Sequence, residues 1–378
     1  MSKGHKFSLI SFEKKCSLIS SLKRRISISG GINWLPKPYT KKPPVISTIW
    51  DIYVMYKASK ALFQHDQFQL VHCRSYISAL VGLWLKQKYG VKFIFDMRGF
   101  WVDERVEGGI WNLKNPLTRI IYGFFKEKEI QFFKNSDYTI SLTEAARHVI
   151  KKMVPEVNSK IAVIPCCVDS GLFNYKSISI DKVITIKSEL SIQNGNLVIS
   201  YLGSVGTWYM LTEMLQFFKE LVLVEPNAVF LFITPEKENV IYSAIEKLNI
   251  DKSRIKVVGA NREEVPVYLS ISNISLFFIK PVFSKVASSP TKLGEIMSMG
   301  IPVICNGEIG DLDRIISEDV GVLNSEFNLS GYKKTIEKIG NLLLLDKSKI
   351  RDTALDLFSL EQGVSIYDTI YNKLLYQP

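Results

Sequence analysis

An alternation that runs twice through this chain limits the folds open to it: short apolar segments of strand composition, separated by stretches with helical periodicity. In the first half KFSLISF, LVHC, VKFIFD, YTISLT and KIAVIP read as strands, and residues 51–64, 76–88 and 116–134 as helices. A second series opens with LVISYLG and continues with AVFLFIT, IKVVG, ISLFFIK, PVICN and VGVLN, with helices expected over 211–223, 239–248, 262–272 and 291–299. Such alternation argues for βαβ units and parallel sheets. The stretch IPCCVDSGLFNYKSISI, with Pro165, Gly171 and few periodic residues, reads as a linker. At 378 residues the chain suits two domains. The expectation is α/β: two doubly wound Rossmann-like domains whose strand ends face a cleft, the place where open α/β sheets bind ligands.

Composition narrows the class. The chain is 47% hydrophobic and 22% charged, as globular proteins are. No apolar run reaches the roughly 18 residues of a membrane span. Lys6, Glu13, Lys14, Lys15 and Lys23-Arg24-Arg25 break up the first thirty residues, which leaves no signal-peptide core. Cys16, Cys73, Cys166, Cys167 and Cys305 form no C-x-x-C pair and read as reduced thiols, so a cytoplasmic location is expected. The four histidines have no metal-ligand spacing, and no metal is expected. Net charge is +11, unevenly spread: residues 1–175 hold 27 Lys and Arg against 13 Asp and Glu, a net +14, and the remainder is −3. A basic half points to an anionic partner. No nucleic-acid module is present. A membrane surface or a phosphorylated lipid is therefore expected, with a plain solvated basic face as the alternative.

The stretch SSPTKLGEIMSMGIPVICN, Ser288 to Asn306, carries the most chemistry. Ser289 is placed to cap a helix and Pro290 suits its first turn. Leu293, Ile296, Met297 and Gly300 recur at helical spacing. Gly300 then ends the helix, and residues 301–304 read as a short buried strand. Lys292 and Glu295 share the first turn, beside backbone N–H groups with no intrahelical partner. A helix start of this kind attracts anions, and Lys292 adds a cation. Glu295 repels phosphate and suits hydroxyls such as those of a ribose. An ordinary i,i+3 surface ion pair is the alternative.

Taken together, the two domains, the linker IPCCVDSGLF, the K-x-x-E helix before MGIPVI, and the segments VHCRSYISALVG, FIFDMRGFWVDERVEGGIW, YTISLTEAA, ISYLGSVGTWY and SLFFIKP resemble retaining glycosyltransferases of family four (glycosyl transferases group 1) with the GT-B fold. The closing FSLEQGVSIYDTIYNKL is similar to the last helix of such enzymes, which crosses back to the first domain. The resemblance implies an acceptor-binding domain over 1–172, joined by a helix over 358–378, and a nucleotide-sugar-binding domain over 173–357. Glu295 matches the second glutamate of the family's E-x7-E motif, which binds ribose. The first falls on Ala287, and the Arg/Lys pair that follows the LG turn is missing from LGSVGTWYM. Gly203, Ser204 and Gly206 still allow close approach to a phosphate, with Ser289 and Thr291 at the helix start. Lys280 or Lys292 is expected to supply the missing charge, although Lys280 equally suits a snorkelling surface position.

In the first domain His72 and Asp96 stand at predicted strand ends, where a cleft would find them, and His72 lies where similar enzymes place a polar contact to sugar or acceptor. Arg74 and Arg98 suit an acceptor phosphate, and Asp103, Glu104 and Glu107 suit sugar hydroxyls. Thr143 and Glu144 end the strand YTISLT and also point at the cleft, where Glu144 is expected to meet the acceptor. A buried Asp96–Arg98 pair that only shapes its loop is the alternative for DMRG. Retention in this fold requires no strong protein base. Positioned cations and N–H groups stabilise the leaving diphosphate, and the expected cofactor set is empty apart from the nucleotide-sugar donor.

Asp311-x-Asp313 resembles the metal motif of a different fold and is expected to be a solvated loop that caps a helix. Gly30-Gly31 reads as a turn. The expected reaction is sugar transfer from a nucleotide donor to a lipid-linked or saccharide acceptor in bacterial-type surface polysaccharide assembly, at the inner face of the plasma membrane. A GT-B epimerase of nucleotide sugars and a non-catalytic or truncated sugar-nucleotide-binding homologue are the alternatives. GHKFSLISFEK resembles the family's second strand, so the first domain is expected to lack its opening β–α unit.

Overall fold

The computed structural model describes residues 4–14, 19 and 32–376. Lys15, Lys23, Arg24 and Arg25 of the basic first half, Cys16, and the Gly30-Gly31 turn lie outside them.

The second domain carries one six-stranded parallel sheet in the order β12(Gly321–Leu323), β11(Val303–Cys305), β10(Ile274–Leu276), β7(Leu197–Leu202), β8(Ala228–Ile233), β9(Ile255–Val258). The chain runs from β7 outward to β9, then returns to the other side of β7 to make β10, so the order reverses between β7 and β10. Every residue of β7 and β8 is buried, as strands covered on both faces require. The first domain has four parallel strands in the order β3(Leu70–Arg74), β4(Lys92–Asp96), β5(Tyr138–Ser141), β6(Ile161–Val163). Both domains are Rossmann-like, and the whole is a GT-B arrangement.

On one face of the first-domain sheet lie helices α1(Ile46–His65), α2(Ser75–Tyr89), α4(Pro116–Asn135) and α5(Glu144–Met153). Tyr76, Phe125, Phe132, Phe133 and Ile150 pack there against Phe93 and Phe95. On the other face Ile94, Ile140 and Ile164 pack against Ile370 of the last helix, α15(Leu360–Tyr376), which returns from the second domain. Pairing and pleat put His72 opposite Ile94, and Arg74 opposite Asp96. Because alternate residues share a face, His72 and Asp96 lie under α15.

A separate two-stranded parallel sheet joins β1(Phe7–Glu13) to β2(Ile32–Pro38), in register from Phe7↔Ile32 to Glu13↔Pro38. β2 has no alternating signal and contains Pro36 and Pro38, which a strand with one neighbour tolerates because a missing N–H costs it no bond there. β1 is the first strand among the described residues. β1 and β3 each make a ladder on one side only.

Candidate active site

The site starts at the point where the second-domain sheet reverses order. Strand β7 is followed directly by Gly203 at φ +114°, a conformation that suits glycine, and a Cβ there would stand 3.1 Å from Lys292 Nζ. Lys292 belongs to α10(Thr291–Ser298), the helix that also carries Glu295. Its ammonium lies 3.6 Å from the ring centre of Tyr209, 4.2 Å from Tyr201 and 5.7 Å from Phe277. It is buried and has no hydrogen-bond partner. Burial drives its pKa well below the ordinary lysine value, and Glu295 offsets this only in part. The ring faces supply cation–π attraction in place of hydrogen bonds.

Glu295 is 8% exposed and accepts from Arg262 Nη1 at 3.0 Å through one carboxylate oxygen. Burial raises its pKa, while Arg262 and Lys292 pull it down. The surface-pair reading of Lys292 and Glu295 does not describe this geometry, since both are buried. Lys280 is exposed, and Thr291 is exposed at the helix start. Ser204 is exposed and accepts through its carbonyl from Tyr201 Oη at 2.6 Å, and Gly206 lies in open space.

Two expected caps lie elsewhere. Ser289 does not cap α10, whose N-cap is Pro290 without a side-chain bond. The Ser289 hydroxyl instead accepts from Cys166 N at 3.1 Å, tying the linker to the site. Asp311 is not a solvated cap on its own helix. Its carboxylate accepts from Glu144 N and Ala145 N, both at 2.9 Å, at the start of α5 in the first domain. A helix N-terminus favours a negative charge, and the one that fills it comes from across the cleft.

In the first domain His72 Nδ1 lies 2.7 Å from Tyr371 Oη, and His72 Nε2 lies 3.6 Å from Asp96 Oδ2. Tyr367 Oη donates to Asp96 Oδ2 at 3.2 Å, while Asp96 Oδ1 is buried without a partner. Burial, then the Asp96 charge, raises both tyrosines, Tyr371 to about 12. Asp96 therefore pairs with His72 and Tyr367 rather than with Arg98. Arg98 sits at φ +59° and reaches Cys166 Sγ at 3.4 Å. Arg74 is exposed at the start of α2.

The acidic side chains of helix α3(Trp101–Glu107) have protein partners. Asp103 accepts from Tyr122 Oη at 2.9 Å and Lys126 Nζ at 3.0 Å, in a buried network with Glu129 and Tyr76. Glu104 accepts from Lys285 Nζ at 2.7 Å and Glu107 from Ser284 N at 2.9 Å, both across the cleft. Glu144 pairs with Arg147 at 3.1 Å, and Thr143 Oγ1 donates to Val286 O at 2.7 Å. Ala287 is buried against Gly99. Sequence reasoning missed Arg262, Tyr201, Tyr209, Tyr367 and Tyr371. Only the last two carried a signal, their i,i+4 spacing on a helix expected to cross back.

The comparisons agree with this architecture. Residues 2–172 match Glycosyltransferase Family 4. No curated protein matches the sequence. Among solved structures, the chain is similar to a glycosyltransferase from Rickettsia africae at 16% identity, with 99% of this chain and 92% of that one covered and a TM-score of 0.71. Sucrose-phosphate synthase from Thermosynechococcus elongatus matches at 16% identity and TM-score 0.73, covering 99% and 100%. Anabaena HepE in complex with UDP-glucose matches at 12% identity and TM-score 0.64, covering 97% and 100%. The Glycosyltransferase Family 4 match over residues 2–172, with GT-B architecture throughout the chain, supports a transferase enzyme.

Proposed function

We propose that this protein transfers a sugar from a nucleotide-diphospho-sugar to a lipid-linked or saccharide acceptor, with retention, in bacterial-type surface polysaccharide assembly at the inner face of the plasma membrane. The observation that carries the reading is Lys292: a buried ammonium without a hydrogen-bond partner, against the Gly203 turn where the sheet order reverses. That is the crevice in which open α/β sheets hold nucleotides. The solved HepE complexes hold UDP, UDP with glucose, and UDP-glucose.

In this reading Glu295, steadied by Arg262, takes the ribose hydroxyls. The diphosphate lies over Gly203 and the start of α10, with Lys292 as its cation and Lys280 at the rim. The bond from the anomeric carbon to the diphosphate oxygen breaks. The acceptor oxygen bonds to that carbon from the same face, and its proton passes to the departing phosphate. Leaving-group charge grows along this path, so Lys292 acts most strongly in the transition state. His72 and Asp96, held by Tyr371 and Tyr367, face the sugar or acceptor. Arg74 and Arg98 take an acceptor phosphate. No metal or cofactor has a role in this chemistry.

The test is thermal shift with UDP, GDP and ADP, followed by incubation with their sugars and assay of hydrolysis or transfer. One nucleotide is expected to raise Tm, and its sugar to be consumed. A nucleotide that binds without any turnover leaves a binding homologue. No shift with any nucleotide overturns the reading.

A further inference from the structure

Helix α1 is apolar on two sides, and the protein covers one of them. Its Ile52, Met55 and Phe63 pack against Val81, Leu85 and Trp84 of α2. The opposite side presents Ile46, Ile49, Trp50 and Tyr53, which are 65%, 61%, 54% and 46% exposed. Their i, i+3, i+4, i+7 spacing makes one stripe along the first half of the helix. A helix that is apolar all round belongs in a buried place, yet this stripe faces outward. Helix α4 repeats the pattern: Leu117, Ile120 and Phe124 are exposed, with Ile110 in the loop ahead of them.

Topology brings the two stripes to one rim. α1 and α4 both contact α2, which lies between them on one face of the first-domain sheet. Each of the two helices leads into a parallel strand, so each runs against the strands and begins at the strands' C-terminal ends. Both stripes occupy the first halves of their helices, and both therefore border the cleft.

Charge identifies what covers them. Lys41, Lys42, Lys57, Lys60, Lys114, Arg119 and Lys128 flank the stripes. In the same two segments the acidic residues facing outward reduce to Glu127. Asp51 is buried and accepts from Thr40 N, and Glu129 is buried. Lys57 lies over the Tyr53 ring at 5.4 Å and Lys128 over the Phe124 ring at 5.7 Å, so cations stand beside the exposed aromatics. Aromatic and aliphatic side chains ringed by lysines fit the boundary of an anionic bilayer, where rings enter the headgroup level and ammonium groups meet phosphates. Among the described residues no helix is long and apolar enough to cross a membrane.

We propose that Ile46, Ile49, Trp50 and Tyr53 of α1, with Leu117, Ile120 and Phe124 of α4, form a wedge that seats the cleft rim in an anionic phospholipid surface. The proposal extends the membrane part of the functional reading from long-range charge to an inserted apolar surface. It fits a lipid-linked acceptor, whose headgroup would enter the cleft beside its own bilayer.

The test is flotation of the full chain with vesicles of phosphatidylcholine alone and with phosphatidylglycerol added. The parent is expected to bind only the anionic vesicles and to keep part of that binding in high salt, where surface electrostatics are screened. The Ile49→Ser/Trp50→Ser and Ile120→Ser/Phe124→Ser variants should each lose about tenfold or more in affinity, given the apolar area withdrawn. Brominated lipid should quench the parent's fluorescence more than that of Trp50→Phe. Serine variants that bind as the parent does overturn the wedge, while the electrostatic reading survives. Equal binding to phosphatidylcholine alone overturns the anionic partner. A parent dimer abolished by the serine variants, with no vesicle binding, makes the face a contact between copies instead. UDP thermal shift on the same variants keeps this outcome separate from that of the transferase reading.

Discussion

Lys292 is costly for the ligand-free protein and valuable with a diphosphate present. A buried ammonium without hydrogen bonds carries a desolvation penalty that three ring faces offset only in part. Lys292→Met should therefore leave the ligand-free Tm unchanged or raise it, while lowering nucleotide affinity by about tenfold or more, the scale of a lost charged hydrogen bond. A drop in Tm with affinity intact would reverse the assignment. The sign of the pH effect follows from the lowered pKa. Between that value and the ordinary 10.5 the unfolded chain holds a proton that the folded chain lacks, so this residue's contribution to stability rises with pH across the interval. Diphosphate binding brings negative charge to an ammonium whose pKa burial has lowered, and should raise that pKa, so that binding draws in a proton wherever the ligand-free group has begun to lose one. Calorimetry of UDP binding in two buffers of different ionisation enthalpy reads that uptake directly. Identical heats would mean that Lys292 is already charged. Glu295→Gln keeps the shape and should cost about 1–3 kcal/mol of nucleotide binding.

Elements differ sharply in how firmly the rest of the molecule holds them. Strands β7 and β8 are wholly buried within the second-domain core. The parallel pair β1–β2 contributes no residue to a buried cluster, and Phe7 and Leu9 stay 37% and 45% exposed. A two-stranded ribbon has little stability of its own. Amide exchange should therefore release β1 and β2 well before β7 and β8, and equal protection would show that contacts to the last helix, such as Phe7 on Tyr371, anchor the ribbon. Helix α10 depends on its end. Gly300 stops it at φ +66°, and a Cβ there would stand 2.8 Å from the Lys347 backbone oxygen. Gly300→Ala should cost at least about 1–2 kcal/mol from the left-handed backbone alone, seen as a lower midpoint in urea.

Across the whole molecule, one carboxylate outweighs the other ties that close the cleft. Lys285–Glu104 joins a buried ammonium to a carboxylate that is 40% exposed, so solvent screens the pair from the Glu104 side. Asp311 accepts two backbone N–H bonds at the start of α5, and charged hydrogen bonds contribute about 1.5–3 kcal/mol. Phe100 stacked on Phe283 at 4.9 Å adds apolar contact between the domains. Asp311→Ala should therefore open the domains, which small-angle scattering would record as a larger radius of gyration. Glu104→Ala should do so much less. Identical scattering from Asp311→Ala and the parent would show that closure rests on the apolar contacts.

The sequence by itself determined the alternation, and with it the two parallel-sheet domains, because buried strands and amphipathic helices write their periods locally. Helix α4 begins at Pro116 and the helix that follows β7, Leu211–Val224, at Leu211, as their periodicity predicts. The Lys292–Glu295 turn and the glycine at 203 were legible for the same reason: each needs only its neighbours in the chain. β2 was not legible, since INWLPKP has no alternation and two prolines, and its strand exists through pairing with β1. Nor were the partners of the chemical groups. Arg262 reaches Glu295 across 33 residues, Tyr367 reaches Asp96 across 271, and Asp311 reaches Glu144 across 167. Which carboxylates face the cleft and which fasten it shut was decided only in the tertiary structure. Side-chain reach between distant segments depends on how the two domains and the returning helix pack, and no local pattern encodes that.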